Sequence, residues 1–501
     1  MKSRLLDMLS VRVGLCLLGS IVLGLCQGRA AEAASPPGDV VGKVTVGYQG
    51  WFSAVGDGSP LNTWGHTNLE MWPDMREYTQ TYSTSALGLS TLGNGQPASM
   101  FSSYDQSTVN LHCKWMAQNG IDTVALQRFG NEIGPGTAVK AQRDGMAVRL
   151  MNAAQSTGRK FYIMYDTSGG TANLQTDWTN TIVNTLHLTS SSAYAKQNGK
   201  PVVCLWGVGY TWFSLTPSAG LALVNWFKSQ GCYVIGGLPG SWRSGNGDSR
   251  SDYASVYNAF DMITPWMVGG VPDANAQSWY SAEIAYCNAH NIDYQAGAYP
   301  GTSFFNTNGP ASPKNQIPRN HGDFMWLQFA ALRAAAASSV YIAMFDELNE
   351  GTSIFKCAED SSMIPNNHWF LTLDADGTHV SSDYYLRLTC DGGKMIKGQI
   401  AYQAAHPTPF TISGVTFYQN TLYSGAAGQS LAKGNYTLSQ LAAKGVPNDW
   451  ASSLRLPPGW KVIVYSDDNF TGSSWTITSD TPDFAGLSPN ANDTVSSCKI
   501  Q

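Results

Sequence analysis

Strand-like and helix-like segments alternate along most of this 501-residue chain. Eight apolar segments rich in β-branched and aromatic residues are predicted to be strands: 44–52, 121–129, 160–168, 201–210, 232–239, 261–268, 294–300 and 340–347. Segments between them, such as 108–119, 145–156 and 324–337, carry apolar residues at helical spacing. Repeated alternation of this kind is typical of a barrel whose parallel strands are each followed by a helix. The sequence therefore predicts an α/β fold, a (β/α)8 TIM barrel, over residues 41–398.

The barrel region has about 360 residues, which is longer than a typical barrel of about 250. We therefore expect long loops, with residues 83–103 and 302–320 as two of them because both stretches are rich in turn-forming residues. From about Pro409 the chain changes to short alternating strands and turn residues. This pattern predicts a small all-β domain over residues 410–501.

The N-terminus has the layout of a secretory signal. Lys2, Arg4 and Arg12 precede an apolar stretch over residues 13–25, and the small-residue pattern Ala31-Glu32-Ala33 follows. The apolar stretch is too short to span a bilayer. We expect residues 1–34 to be a signal peptide and the mature protein to be secreted, extracellular or periplasmic, without a membrane anchor after cleavage.

The composition indicates which classes of partner to expect. The net charge of −5 argues against a nucleic-acid partner, which would favour a basic patch. Aromatic residues make up 11% of the chain, and clefts that stack on sugar rings use such side chains. The cysteines outside the signal form no C-x-x-C pair, so a zinc site is not expected, although a disulfide such as Cys357–Cys390 is consistent with an exported protein.

Three carboxylates follow the last predicted strand. Asp346, Glu347 and Glu350 lie within five residues, and Gly351 follows them. The carboxyl ends of barrel strands carry the chemistry of barrel enzymes. Two carboxylates at such a place can divide acid and base roles, which is what cleavage of a glycosidic bond requires. The alternative is a solvated acidic loop.

Polar and aromatic residues also end the other predicted strands. As a group they are candidates for substrate binding at the barrel opening: Gln127, Arg128, Asp166, Trp206, Trp266, Tyr299 and Asp346. Each also has a structural alternative, such as a salt-bridged rim residue for Arg128 and a core residue for Trp266.

Four motifs together resemble the glycoside hydrolase family 71/99-like proteins. The motifs are GYQGWF at 47–52, MWPDMREY at 71–78, ID at 121–122 with LQRF at 126–129, and FDELNEGT at 345–352. The resemblance implies a (β/α)8 barrel that cleaves within α-mannosides, with the E-x-x-E pair of family 99 falling on Glu347 and Glu350. Glu347 would then be the base that deprotonates the 2-hydroxyl of the sugar, giving an epoxide-like intermediate. Glu350 would be the acid for the leaving oxygen and then the base for water, and catalysis would need no cofactor.

Further residues are candidates for the substrate cleft, because they lie in these motifs or in loops that should reach the barrel opening. They are Tyr48, Gln49, Trp51, His66, Asp74, Arg319 and His321.

The C-terminal residues resemble a βγ-crystallin. WKVIVYSDDNFTG at 460–472 has the aromatic hairpin signature of that family, and the motif N/D-N/D-x-x-S/T-S occurs as NDWASS at 448–453 and NDTVSS at 492–497. The resemblance implies a Greek-key fold with two structural Ca²⁺ sites, each drawing oxygens from both halves. The implied ligands are Asn448, Asp449, Ser452, Asn492, Asp493 and Ser496. The alternative is a pair of turns without metal, since Asn, Asp and Ser favour turns.

Three functions are compatible with these features. The first is a secreted glycoside hydrolase that acts on a polysaccharide or glycan, such as an α-mannoside, and carries a calcium-binding crystallin module. The second is a non-hydrolytic carbohydrate-binding protein on a degenerate barrel, favoured by Leu348, where family 99 enzymes typically have Trp. The third is a calcium-dependent structural or adhesive protein.

Overall fold

The structure, a computed structural model, describes residues 35–213, 215–273 and 275–501. The predicted signal peptide, residues 1–34, lies outside the described residues. Within the described ranges, no helix is both long enough and apolar enough to cross a membrane.

Eight parallel strands close into a barrel. They are β1 (Val44–Tyr48), β2 (Thr123–Phe129), β3 (Lys160–Asp166), β4 (Lys200–Trp206), β5 (Tyr233–Pro239), β6 (Met262–Trp266), β7 (Asp293–Tyr294 continued by Ala296–Ala298) and β8 (Val340–Ile342). Each strand pairs in parallel with the next. β8 also pairs with β1, so the ring has no free edge. The predicted fold class is confirmed.

Helices connect the strands in sequence order. They are α1 (Gln106–Gln118), α2 (Ala138–Thr157), α3 (Leu174–Thr176, continued by a π-helix over Asp177–Thr185), α4 (Pro217–Ser229), α5 (Ala276–Ala289), α6 (Asp323–Ala334) and α7 (Tyr384–Ile396). A short helical turn, Ala254–Tyr257, stands between β5 and β6. Several strands end earlier than the apolar pattern predicts; β8, for example, ends at Ile342. The residues beyond it are buried because the chain turns back across the barrel opening there.

The register of the strands decides which side chains face the barrel interior. Phe129 is aligned with Asp166, and Asp166 with Trp206, so these side chains share one face. Arg128 is on the opposite face, because successive side chains of a strand alternate. Its guanidinium is buried against the helices, where it bonds with Asp177 on the π-helix at 2.6 and 2.9 Å and with Asp144 on α2 at 2.7 Å. The prediction that Arg128 binds substrate is therefore wrong.

Tyr48 and Tyr299 also face the helices. The Tyr48 hydroxyl is 2.8 Å from Nδ1 of His112 on α1, and the Nε2 of the same imidazole is 2.7 Å from the Tyr78 hydroxyl. Tyr299 donates a hydrogen bond to the carbonyl of Gly270 at 2.5 Å and packs against Phe324 on α6. Both tyrosines are fully buried, so the prediction that they bind substrate is wrong.

The C-terminal domain consists of two antiparallel sheets over a second apolar core. Its elements are β9 (Thr416–Asn420), β10 (Ser424–Ala427), β11 (Gly434–Tyr436), α8 (Leu438–Ala443), β12 (Ser453–Arg455), β13 (Val462–Asp467), β14 (Thr471–Ile477) and β15 (Ser497–Ile500). One sheet has the order β10-β9-β12 and the other β11-β15-β13-β14. β11, from the first half, pairs with β15 at the end of the second half, so the two halves interlock.

Polar contacts join the C-terminal domain to the barrel. Arg455 bonds with Asp480 at 2.6 Å within its own domain and with Asn119, just after α1, at 3.3 Å. Gln118 of α1 reaches the Ser479 hydroxyl at 3.2 Å. The domain therefore rests on the side of the barrel that α1 forms.

The seven cysteines that the structure describes are buried and unpaired. Cys357 lies in the loop after β8, where its thiol contacts the Ser353 hydroxyl at 3.7 Å, while Cys390 is on α7. Because the two thiols belong to separate parts of the barrel, the disulfide considered between them is not formed.

Replacing Arg128 with Ala should destabilise the barrel. The change leaves the buried carboxylate of Asp177 without its strongest partner, and breaking a buried ion pair typically costs about 3–5 kcal/mol. Denaturant unfolding followed by tryptophan fluorescence measures the difference. Arg250→Ala is the control, because it removes the arginine of an ion pair with the exposed Asp252, and such pairs contribute about 0–1 kcal/mol. Equal unfolding midpoints for the two variants would contradict the buried role of Arg128.

Candidate active site

The segment after β8 is fixed to β1 by its backbone. The Phe345 N–H donates to the carbonyl of Gly47 at 2.8 Å, and the Phe355 N–H returns to the carbonyl of Phe345 at 3.1 Å. The chain between these points forms a closed turn at the carboxyl end of the barrel. Asp346, Glu347 and Glu350 all lie on this turn.

Asp346 joins the end of β8 to the end of β1. Its two carboxylate oxygens accept hydrogen bonds from the backbone N–H groups of Gln49 and Gly50, at 2.8 and 2.9 Å. The side chain is fully buried, and burial raises its pKa to about 7 despite these hydrogen bonds. Asp346 therefore positions the turn, and the prediction that it binds substrate directly is wrong.

Glu347 has one bonded and one free carboxylate oxygen. The Gln49 side-chain amide donates to Oε2 at 2.6 Å, whereas Oε1 is buried and has no hydrogen-bond partner among the described residues. The residue is 2% exposed. Burial, followed by repulsion from Glu350 and Asp346, raises the pKa of Glu347 well above its usual range. A buried oxygen without a donor within the fold is able to accept a hydrogen bond from a ligand.

Glu350 is held by its backbone and not by its carboxylate. Its carbonyl accepts hydrogen bonds from the Ser303 N–H at 3.0 Å and the Thr302 hydroxyl at 2.6 Å. No described residue donates a hydrogen bond to its carboxylate, and burial raises the pKa of Glu350 to about 7. Because Glu347 and Glu350 repel each other, the two carboxyls lose their protons in two separate steps, and the pair still holds one proton near neutral pH.

A further buried carboxylate, Glu70, supports this segment and was not predicted. Its oxygens accept hydrogen bonds from the Ser303 hydroxyl at 2.8 Å and from the backbone N–H groups of Asn306 and Thr307 at 2.7 and 2.9 Å. The Glu70 N–H in turn donates to the carbonyl of Leu348 at 2.9 Å. Glu70 thereby fixes the loop that holds the Glu350 backbone. It ends no predicted strand, so nothing in the sequence pattern marked it.

Arg319 supports the same segment from within the fold. Its Nη2 donates to the carbonyls of Gly351 and Ser353 at 2.8 and 2.7 Å, and its guanidinium lies over the Tyr385 ring at 4.5 Å. Burial lowers its pKa. Because these contacts are with backbone carbonyls beneath the turn, the prediction that Arg319 binds substrate is wrong.

Five predicted residues lie on the interior face at the carboxyl ends of the strands, and one of them, Gln49, contacts Glu347 directly. Tyr48 is aligned with Leu126, so Gln49 and Gln127 are neighbours at the ends of β1 and β2. Gln127 donates to Asp166 at 3.3 Å, and burial raises the pKa of Asp166. The rings of Trp206 and Trp266 meet edge to face at 5.3 Å, and both are half-buried. The floor of the opening is thus polar on the side of β1–β3 and aromatic on the side of β4–β6.

Trp51 and His66 form an aromatic wall beside β2. Their rings stack at 3.9 Å, and Trp51 also stacks on Phe129 at 5.6 Å. Burial, assisted by Arg143, lowers the pKa of His66 to about 4, so the imidazole is neutral at pH 7. The wall adjoins the turn that carries the glutamates, because the Asn349 side-chain amide donates to the carbonyl of His66 at 3.1 Å.

Two predicted residues contact charged side chains of the protein. Asp74 is ion paired with Arg76 at 2.7 Å, and Arg76 also binds Glu359 at 2.6 Å. His321 lies at the start of α6, where its imidazole contacts Asp323 at 3.4 Å and Asp376 at 3.3 Å. The Asp74 carboxylate is buried and bonded to Arg76, so the prediction that it binds substrate is wrong, whereas the role of His321 stays a prediction.

The two predicted metal motifs of the C-terminal domain are interleaved. Ser452 of the first motif donates to Asp493 of the second at 3.0 Å, and Ser496 of the second donates to Asn448 of the first at 2.7 Å. Asp449 and Asp493 have matching left-handed backbones, with φ of 51° and 50°. In the described part of the chain, no three His, Cys, Asp or Glu side chains cluster as a metal site. Each motif offers one carboxylate, from Asp449 or Asp493, so a cation here would also depend on amide, hydroxyl and backbone oxygens, all of which suit Ca²⁺.

No protein-family model matches the chain. Among solved structures, the chain is similar to the glycoside hydrolase family 99 endo-α-mannosidase from Bacteroides thetaiotaomicron. The identity is 15% and the TM-score 0.52, over 72% of this chain and 98% of that protein. A second structure of that enzyme gives 16% identity and the same TM-score. The likeness shows that the barrel has the fold of this family.

Other matches concern a smaller part of the chain. A βγ-crystallin domain from Clostridium beijerinckii, solved as a double mutant, is 57% identical over 17% of this chain and 93% of that domain, with a TM-score of 0.16. Development-specific protein S from Myxococcus xanthus is 34% identical over 81 residues, and a homolog from the same organism is 30% identical over 89 residues. The chain spans about half the length of these curated relatives. The resemblances predicted for the barrel and for the crystallin-like domain are confirmed.

Replacing Glu350 with Gln should change how stability depends on pH. A carboxyl whose pKa is raised from 4.5 to about 7 in the folded state favours folding while it is protonated. That contribution is fully present below pH 4.5 and is lost as the pH rises through about 7. Between these values the wild type should lose on the order of 1–3 kcal/mol relative to Glu350→Gln. Urea unfolding of both proteins across this range measures the difference.

Asp252→Asn is the control for this measurement. Arg250 lowers the pKa of the exposed Asp252 from its ordinary value of 3.8, so Asp252 titrates below the measured range, and Asp252→Asn should have a pH profile parallel to that of wild type. Parallel pH profiles for wild type and Glu350→Gln would show that Glu350 titrates as an ordinary exposed carboxyl.

Proposed function

We propose that the protein is a secreted glycoside hydrolase that cleaves glycosidic bonds of a polysaccharide or glycan. The observation that carries this proposal is the pair Glu347 and Glu350 at the carboxyl end of the barrel. One member has a free buried oxygen, and the other has a pKa near 7. A general acid for this chemistry must be protonated near the working pH and must still release its proton to the leaving oxygen.

The two glutamates share one proton near neutral pH, and in the proposed reaction this proton begins on Glu350 while the Gln49 amide stabilises the ionised form of Glu347. Glu347 takes the proton of the sugar 2-hydroxyl, and the freed oxygen attacks the anomeric carbon. Glu350 gives its proton to the leaving oxygen as the glycosidic bond breaks. In the second step Glu350 takes a proton from water, which opens the epoxide-like ring at the anomeric carbon, while Glu347 returns its proton to the 2-oxygen. Both groups end as they began, and the anomeric configuration is retained.

The surroundings of the pair favour a hydroxyl-rich ligand. Acceptors on Gln49, Gln127 and Glu347, and the indole N–H of Trp206, are buried without hydrogen-bond partners among the described residues. A sugar can satisfy both kinds of group, because each hydroxyl donates and accepts. The half-buried rings of Trp206 and Trp266 offer faces for the apolar side of a pyranose.

The mannose assignment is supported by the fold and by the 2-hydroxyl mechanism. The family 99 enzyme with this fold is an endo-α-mannosidase, and in an α-mannoside the 2-hydroxyl is on the side opposite the leaving group. Leu348 does not oppose the assignment, because its side chain is fully buried and does not line the opening. The observation that favoured a degenerate, non-hydrolytic barrel therefore concerns a core residue.

We also propose that the C-terminal domain binds two Ca²⁺ ions that stabilise it and take no part in catalysis. The support is the interleaving of the two motifs, because Ser452 of the first half bonds with Asp493 of the second, and Ser496 of the second half bonds with Asn448 of the first. Asp449 and Asp493 would supply carboxylate oxygens, and Ser452 and Ser496 hydroxyl oxygens.

Substituting either glutamate should abolish hydrolysis without unfolding the barrel. We expect Glu347→Gln and Glu350→Gln to lower kcat by about 10²–10⁴-fold on the substrate found in a glycan panel that includes α-mannans. Glu359→Gln is the matched control, since this glutamate pairs with Arg76 away from the site. Product analysis by NMR should show retention at the anomeric carbon. Wild-type binding without turnover on the whole panel would favour the carbohydrate-binding alternative.

Removing calcium should lower the melting temperature and leave the rate of hydrolysis unchanged. Ca²⁺ at 100 times its dissociation constant stabilises the state that binds it by about 2.7 kcal/mol. Calorimetry with and without chelator measures the shift, and the double variant Asp449→Asn/Asp493→Asn should lose it. Loss of activity at a temperature where the chelated protein is still folded would favour the calcium-dependent alternative.

A further inference from the structure

A row of aromatic side chains leads away from the candidate active site. The Trp266 ring is 5.3 Å from Trp206, Trp206 is 5.6 Å from Tyr210, and Tyr210 is 4.7 Å from Trp212. We call Trp266, Trp206, Tyr210 and Trp212 the aromatic ladder. Its inner end lies beside β8, the strand that precedes Asp346, Glu347 and Glu350, because the rings of Trp266 and Tyr341 are 6.3 Å apart.

The ladder runs from the floor of the opening to the surface. Trp266 and Trp206 are half-buried, and Tyr210 is 4% exposed and supports its neighbours from below. Trp212, at the outer end, is 57% exposed. An indole left this open at the rim of a binding site has an apolar face for which the described fold provides no cover.

The loop that carries Trp212 is fixed before any ligand arrives. The Thr211 N–H donates to the carbonyl of Asp248 at 2.7 Å, and the Arg250 N–H donates to the carbonyl of Gly209 at 2.9 Å. Gly209 has φ of 95°, and a Cβ there would collide with the Tyr257 hydroxyl. The loop after β4 is thus pinned to the loop after β5, which keeps the entropic cost of placing Trp212 against a ligand low.

We infer that the aromatic ladder is an extended glycan-binding surface, on which sugar units beyond the cleaved bond stack. This inference rests on the proposed function and specifies its substrate as a chain of several sugars. Continuity with the site favours the substrate over a protein partner, since the row begins at the floor of the opening. The charged groups that act on Tyr210 are the carboxylates of Asp248 and Asp166, so the surface disfavours an anionic glycan and suits a neutral one.

Trp212→Ala tests the inference through substrate length. With the polymer that the panel identifies, kcat/KM of Trp212→Ala should be about tenfold lower than that of wild type. With an aryl glycoside of the same sugar, kcat/KM should be at most about twofold lower. Tyr402→Ala is the control, because Tyr402 is 53% exposed and outside the ladder, and it should behave as wild type on both substrates. Equal losses on polymer and aryl glycoside, or no loss on either, would overturn the inference.

A binding measurement separates failure of the ladder from failure of the proposed hydrolase. Native gels containing α-mannan, α-glucan, β-glucan or xylan report retardation whether or not a bond is cleaved. The hydrolase proposal fails if no panel member is hydrolysed. The glycan-binding surface is still supported in that case if one polysaccharide retards wild type and Tyr402→Ala more than it retards Trp212→Ala. Equal migration of all three proteins in every gel would overturn the surface itself.

Discussion

The hydrogen bonds between the Asp346 carboxylate and the backbone N–H groups of Gln49 and Gly50 determine the rest of the site. They close the seam between β8 and β1 at the barrel opening, where the paired strands themselves have already ended. Once the backbone of Gln49 is fixed, its side chain lies where its amide can donate to Glu347. One buried acid therefore both completes the barrel and, through Gln49, fixes the position of the Glu347 carboxylate.

This arrangement is energetically costly. Burying Asp346, Glu347 and Glu350 together opposes their ionisation, and each has a raised pKa as a result. Stability for the turn comes from groups that take no part in the chemistry, notably Glu70 and Arg319, which bind the backbone around it. The turn is therefore stable even though its three carboxyl groups are in an environment that disfavours their ionisation. Their raised pKa values are the functional consequence of that environment.

The architecture could be predicted from sequence more completely than the orientation of individual side chains. Eight apolar segments separated by helical patterns were sufficient for the barrel, and a strand end followed by three carboxylates was sufficient to locate the glutamate pair. Tyr48, Arg128 and Tyr299 were assigned to the wrong face, because a shift of one residue in the end of a strand reverses which side chains point inward. Asp74 and Arg319 come from loops, whose course follows from tertiary contacts and not from local pattern. The role of Glu70 could not be predicted from the sequence, because Glu70 lies in a segment without helical or strand periodicity and bonds mainly with backbone groups.

The unpaired polar atoms at the opening explain why a carbohydrate suits this site better than other ligands of similar size. Glu347, Gln49 and Gln127 each leave an acceptor oxygen without a donor, while Trp206 leaves a donor without an acceptor. An anion could satisfy only the indole and would be repelled by the carboxylates, and an apolar ligand would leave every one of these groups unpaired at a cost of roughly 1–3 kcal/mol each. A sugar ring presents hydroxyls at its edge and C–H groups on its faces, so the polar and aromatic sides of the opening are both matched. The bound sugar would thereby supply the hydrogen bonds that the fold omits, and its 2-hydroxyl would be the group placed against the free oxygen of Glu347.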